Sequence, residues 1–236
     1  MRPRAVPLIA LLALLTACGG DDKPSAATAA KPTVTPYPSI DLGDLKNGAS
    51  YASRKFKPEL TLTIPREGEW NTAGADNPDH VELEPEPVPP ITVSGVSFHH
   101  ITRVFPPKTG GVIPGDAVAG PADFATWLTT HPYLRATNPK PVEALGLKGV
   151  SIDVRVKSSQ PRKYKDCGKV EGECVVMFIG SVEPIVYGSK TFARFYVLEQ
   201  PDGKQLVVEQ WAEPASAFAK AKPPLEAVVR SARVAR

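Results

Sequence analysis

A chain of 236 residues with 42% apolar side chains is long enough to bury one sizeable core. Its 28 Lys and Arg stand against 25 Asp and Glu, and loss of Arg2 and Arg4 with an N-terminal signal leaves 26 against 25, a balance that excludes the basic footprint of a nucleic-acid-binding protein. The excess is in proline, 26 residues against a usual share of about 5%, and its uneven placement divides the chain.

Residues 1–17 carry the three parts of an export signal: Arg2 and Arg4 at the start, an apolar run over 7–15, and small residues before the cut. The run is far shorter than the ~20 residues that span a bilayer, so cleavage is expected rather than a transmembrane helix. Leu15-Thr16-Ala17-Cys18 resembles the bacterial lipobox, whose cysteine is diacylglycerylated on sulfur and becomes the first mature residue. Two acyl chains, palmitate among the usual ones, give stable anchoring, so the protein is expected on the extracytoplasmic face of the cell membrane, held through Cys18. The other two cysteines, Cys167 and Cys174, then remain as a pair, and export permits a disulfide between them across a loop containing Gly168 and Gly172. A redox or metal pair is disfavoured, because the spacing is not Cys-x-x-Cys and no His lies nearby.

Residues 18–50 are rich in Ala, Pro, Thr, Lys and Asp, which predicts a disordered tether. As a flexible coil its ends lie about 30 Å apart, and fully extended it reaches roughly 90 Å. Tyr37, Ile40, Leu42 and Leu45 are its apolar residues toward the end, and their docking on the domain is left open by the pattern. A single domain is expected over 51–236.

From Phe56 the pattern turns to strands with a few helices. Leu60, Leu62 and Ile64 alternate, then Val81 and Leu83, and the run 91–105 predicts a longer strand with Val96, Phe98 and Val104 on one face. Pro121 opens a helix that buries Phe124, Trp127 and Leu128 and stops at His131-Pro132. Residues 142–145 and 150–156 predict a hairpin turned at 146–149, with Val150, Ile152, Val154 and Val156 facing the core. Segments 175–179, 192–199 and 205–211 complete one sheet, the last two joined by a turn at Pro201-Asp202-Gly203. Pro214 opens a helix that Pro223-Pro224 is expected to interrupt before Leu225, Val228 and Val229.

The runs LTIPREGEW, GLKGVSIDVRV, and ARFYVLEQPDGKQLVVEQW leading into FAKAKPPLEAVVRSARV resemble actinobacterial lipoproteins with a PsbP-like domain, the LpqN group among them. The likeness covers about 56–234. It implies an α+β fold, an antiparallel sheet flanked by helices, and a docking or accessory role without catalysis. The insertion at 106–120 and the basic loop at 157–174 depart from the simple family pattern.

Candidate chemistry is sparse. His99 and His100 are strand neighbours that point to opposite faces and do not ligate one metal. His131 ends a helix, where a cation complements the dipole. Asp76, Asp79, His80 and Glu82 form the densest set of possible ligands, read as a solvated loop; Glu183 and Glu209 are a carboxylate pair that adjacent strands can bring together. No Gly-x-Ser-x-Gly, His-Glu-x-x-His, phosphate-loop or Ser-x-x-Lys motif occurs, so no catalytic residue, metal or cofactor is expected. Lys157, Arg162, Lys163, Lys165 and Lys169 form a basic loop suited to anionic headgroups or wall polymers. Phe192, Phe195, Tyr196 and Trp211 lie on both faces of a central hairpin, and only one face is free to line a cleft. The expected function is a lipid-anchored, non-enzymatic binding or accessory module of the cell envelope that meets an envelope protein or polymer. A small apolar ligand carrier with a pocket between sheet and helices, and an enzyme, are the alternatives.

Overall fold

Short alternating segments punctuated by proline and glycine fold into a strand-dominated protein. The computed structural model describes residues 33–38, 43–74, 76–107, 114–158, 173–180 and 183–235, all within one compact unit. In chain order the strands are β1 (Val34–Pro36), β2 (Asp44–Leu45), β3 (Ser50–Ala52), β4 (Leu60–Thr63), β5 (Trp70–Thr72), β6 (His80–Pro85), β7 (Val93–His99), β8 (Arg103–Val104) and β9 (Val118–Ala119). Helix α1 (Phe124–Thr130) follows, then β10 (Leu134–Ala136), β11 (Lys140–Ala144), β12 (Leu147–Val156), β13 (Cys174–Ile179), β14 (Pro184–Gly188), β15 (Phe192–Glu199), β16 (Gln205–Glu213), helix α2 (Phe218–Ser231) and β17 (Arg233–Val234).

Three sheets result: a large one in the order β10-β12-β15-β16-β7-β6-β5-β2 with β11 beside β12, a second in the order β1-β3-β4-β17, and a third in the order β14-β13-β8-β9. The expected α+β class, a PsbP-like sheet flanked by helices, is therefore overturned. Helical periodicity is sustained in only two places among the described residues, and much of what covers the large sheet is other sheet.

Alternate residues of the large sheet feed two cores. Leu83, Val96, Phe98, Val208 and Tyr196 face the first, which is closed by Phe218, Leu225 and Val228 of α2 and by Leu60 and Leu62 of the second sheet. Ile152, Ala193, Phe195 and Val207 face the other, closed by Phe124 and Leu128 of α1 and by Val175, Met177 and Tyr187 of the third sheet. Each fully buried Leu, Val or Phe contributes about 1.5–3 kcal/mol relative to exposure, so the two cores together hold the layers in register.

Several local expectations shift. The run 91–105 breaks after His99, and Val104 joins the core opposite to Val96 and Phe98 because its strand belongs to the third sheet. Segment 175–179 likewise pairs with β14 and β8 rather than extending the large sheet. The hairpin turns on Leu145 and Gly146 alone, at φ 56° and 77°. Such a two-residue turn with two positive φ values matches strand twist, and Leu145 offsets its backbone strain by burying its side chain in the first core. Helix α1 starts three residues after Pro121, capped by Asp123, whose carboxylate accepts from the Thr126 amide at 3.0 Å. Pro223 and Pro224 sit inside α2 without interrupting it. The carbonyls they leave unpaired belong to Ala219 and Lys220, which are exposed to water, while Leu225, Val228 and Val229 keep the apolar stripe on the sheet.

Segments 33–38 and 43–50, placed in the tether by composition, lie within the folded unit. Strand β1 pairs parallel with β3, and Tyr37 and Leu45 are buried in the first core. The Tyr37 hydroxyl donates to the Glu82 carbonyl at 2.6 Å. Residues 1–32, with the signal segment and Cys18, lie outside the described residues.

Candidate functional site

The antiparallel register of β6, β7 and β16 sets polar side chains abreast on the second face of the large sheet. His80 pairs with His99, and one step along, Glu82 pairs with Ser97, which pairs with Glu209. Because side chains alternate with period two, all five point toward the third sheet. The two imidazole rings stack at 4.7 Å with an interplanar angle of 7°, and the edge of Phe178 from β13 closes on His99 at 5.0 Å.

Glu209 is the hub. His99 Nε2 lies 3.1 Å from one carboxylate oxygen, and the hydroxyl of Tyr187 on β14 donates to the other through a short hydrogen bond. With Glu209 ionised, His99 donates through Nε2–H and its Nδ1 is left without a partner. His80 Nε2 lies 3.0 Å from Glu82 but out of line for a hydrogen bond, so that contact is electrostatic only. Burial pushes the Glu209 carboxyl up to about 7, against the opposing pull of the Tyr187 hydrogen bond and of His80. Desolvation and the neighbouring His80 hold His99 well below the usual histidine range, and burial together with Glu209 raises Tyr187. Glu84, on the same face of β6, is raised to about 7 by burial and by Glu82. The arrangement can hold and share protons, but Ser97 bonds to neither histidine, so no nucleophile–base pair is formed.

A cavity of about 170 Å3 opens beside this row, walled by Glu82, Ser97, Tyr187, Glu209, Trp211 and Glu213 among others. A larger cleft of about 570 Å3 lies at another edge, where Lys55, Lys57, Lys204 and His100 meet Asp79 and Gln200. The His100 ring stacks on Phe56 at 4.3 Å, and burial lowers its pKa. The Gln200 side-chain amide is buried with its nitrogen unpartnered.

The expected site residues scatter. Cys18, Arg162, Lys163, Lys165, Lys169 and Cys167 lie outside the described residues, and Lys157 is exposed at the end of β12. Cys174 is fully buried and disulfide-bonded; the pairing with Cys167 stays an expectation. Asp76 does not join His80 and Glu82: it turns inward to accept from Ser53 and from the amides of Arg54 and Lys55, pinning that turn. No set of three or more His, Cys, Asp and Glu able to hold a metal occurs among the described residues. His131 is buried, not a solvated cation at a helix end, and burial lowers its pKa to about 4. Glu183 is exposed, whereas Glu209 is buried, so the carboxylate across from Glu209 is Glu82, about 10 Å away at the backbone with Ser97 between.

Tyr187 and the burial of Glu209 escape notice in the sequence. The available signal was the unbroken run Leu206-Val207-Val208 before Glu209-Gln210: a strand apolar on successive residues is covered on both faces, so a charge within it is buried too. Of the hairpin aromatics, Trp211 reaches the small cavity from the second face, and Tyr196 lines a separate opening beside α2. No family model matches this sequence, and no curated protein is similar to it.

Proposed function

We propose that the chain is a lipid-anchored, extracytoplasmic binding module of the cell envelope that docks an anionic partner in its lysine-lipped cleft. The observation that supports it best is that cleft, the roomiest of the described openings together with one beside α1, where Lys55 and Lys57 face Lys204 across a partly apolar floor that includes Phe124 and Val207. Lys204 is engaged with Asp202 at 3.1 Å, which leaves Lys55 and Lys57 as the cations that balance only Asp79 on the lips. A carboxylate or phosphate group on a polymer or protein is the complement to such an opening. Location rests on Leu15-Thr16-Ala17-Cys18, and the likeness to actinobacterial envelope lipoproteins rests on the quoted sequence runs. Charged walls favour this over an apolar carrier, and the lack of a nucleophile–base pair around His99 favours binding over catalysis.

The test has two parts. Cys18→Ala is expected to release the protein from the membrane fraction; retention removes the anchor. Lys55→Glu with Lys57→Glu is expected to abolish salt-sensitive capture of the chain on an immobilised polyanion, and capture equal to the parent protein removes the cleft as the docking site.

A further inference from the structure

One lip of the lysine-lipped cleft is a turn crowded with like charge. Arg54, Lys55 and Lys57 are exposed within four residues, and none of the three is in an ion pair among the described residues. Like charges this close repel, and each lysine carries a long, flexible stem. Nothing in the residues of the turn alone keeps two ammonium groups on one rim.

Two anchors hold it from inside the fold. Asp76 is 4% exposed, and its carboxylate faces the start of the turn. One oxygen accepts from the Ser53 hydroxyl through a short hydrogen bond, and the other accepts from the backbone amides of Arg54 at 2.7 Å and Lys55 at 3.1 Å. Ser53 carries the hold one step further, because its Oγ accepts from the Phe56 amide at 2.9 Å. Phe56 is the second anchor: it is fully buried in the first core and stacks at 4.3 Å on His100, a wall of the same cleft. Lys55 and Lys57 flank Phe56 in sequence, and with Phe56 turned inward both line the cleft. Asp76 is itself tied to the segment after β1, its amide donating to the Pro38 carbonyl at 3.2 Å. Reversing the chain needs no buried charge, since glycine or proline does so alone. A carboxylate wrapped by successive backbone amides fixes the turn's shape as well as its direction.

We propose that Asp76 is the positioning residue of this cleft: it fixes the backbone of 53–56 so that Lys55 and Lys57 stand on one rim, ready for an anionic group. This role rests on the docking reading of the cleft, and it adds that affinity there comes from the hold on the turn and not from its charge alone. The two contributions have opposite signs at Asp76. Through space, a carboxylate beside the lysines weakens their attraction for an anion. Through the turn, the same carboxylate removes an ordering cost that binding would otherwise carry. Taking away its charge while keeping its shape separates the two.

Asp76→Asn and Ser53→Ala, each in the full chain in detergent, are titrated with poly-L-glutamate by calorimetry beside the parent protein. Asp76→Asn is expected to weaken Kd about fivefold although it removes a negative charge, and Ser53→Ala, which changes no charge, about threefold. Stoichiometry is expected to stay at the parental value, because a variant that merely unfolds loses sites and not affinity. In hydrogen exchange the Arg54 and Lys55 amides are expected to lose about tenfold in protection in Asp76→Asn, while the amides of β7 keep theirs. A tighter or parental Kd in Asp76→Asn overturns the role, as does a fall in stoichiometry at parental Kd or unchanged protection of both amides. Where Asp76→Asn does not fold, Ser53→Ala decides, and a parental Kd in that variant overturns the role equally. Binding that is abolished by Lys55→Glu with Lys57→Glu but not weakened by Asp76→Asn removes the positioning role and leaves the docking reading in place. No binding by the parent protein removes both.

Discussion

The two faces of the large sheet are made by the same strands in one register, yet one is closed with aliphatic and aromatic side chains and the other carries five polar residues in its middle. On the first face Leu83, Val96, Phe98 and Val208 meet α2 and the second sheet, and the buried Gln210 among them accepts from the Tyr196 hydroxyl at 3.2 Å. On the second, His80, Glu82, Ser97, His99 and Glu209 are nearly as buried, but they answer one another, Tyr187 and a cavity. Burial alone does not distinguish the faces; what lies opposite does. A polar group is retained inside when a network or an opening supplies its partner.

The largest test strikes the first face. Phe98→Ala is expected to lower unfolding free energy by about 3–5 kcal/mol in urea, through lost burial and the cavity left behind. A loss below about 1 kcal/mol would mean that this face is not where the stability resides.

A pH series probes the other face. Glu209 has a folded pKa of about 7 against an ordinary 4.5, so the native state keeps its proton longer than the unfolded chain does. Its contribution is complete below pH 4.5 and lost as pH rises to about 7, a decline of about 3 kcal/mol that Glu209→Gln is expected to flatten. Equal slopes in both proteins, followed by denaturant unfolding from pH 4.5 to 8, would place the buried charge elsewhere. His131 acts in the opposite direction. Its folded pKa of about 4 lies below 6.5, so stability present above pH 6.5 is lost as pH falls toward 4, and His131→Phe is expected to move the acid transition to lower pH. Both groups are displaced by the same amount, so the loss on acidification is of the same order as the Glu209 decline, about 3 kcal/mol.

The smallest expected effect lies between strands of the same sheet. Arg194 holds Asp153 through Nε at 2.6 Å and Nη2 at 3.0 Å, and both are about a quarter exposed. Asp153→Asn is expected to lose about 1 kcal/mol, most of it in low salt.

Much of the strand inventory was legible. Alternation at Leu60, Leu62 and Ile64, the turn at Pro201-Asp202-Gly203, and the apolar face of α2 each follow from side-chain period and turn chemistry over a few residues. Placement of Tyr37 and Leu45 was not legible, because a proline-rich segment looks the same whether it swings free or is held by β1 and β2. The candidate site was less legible still. Neither His80 nor Glu82 announces His99 or Glu209, which stand 19 and 127 residues away along the chain. Only the pairing of β6, β7 and β16 puts them in two adjacent rows.

The sequence by itself determined the positions of most strands and the absence of any local catalytic motif, and it carries the expectation of an export signal and lipobox, since each is written in residues close together in the chain. Tertiary structure decided the division into three sheets, the burial of Glu209 and Tyr187, and the hold of Asp76 on the basic turn. Those depend on which strands pair and which sheet covers them. That choice is made by the summed apolar area of both cores, a property no short window of sequence contains.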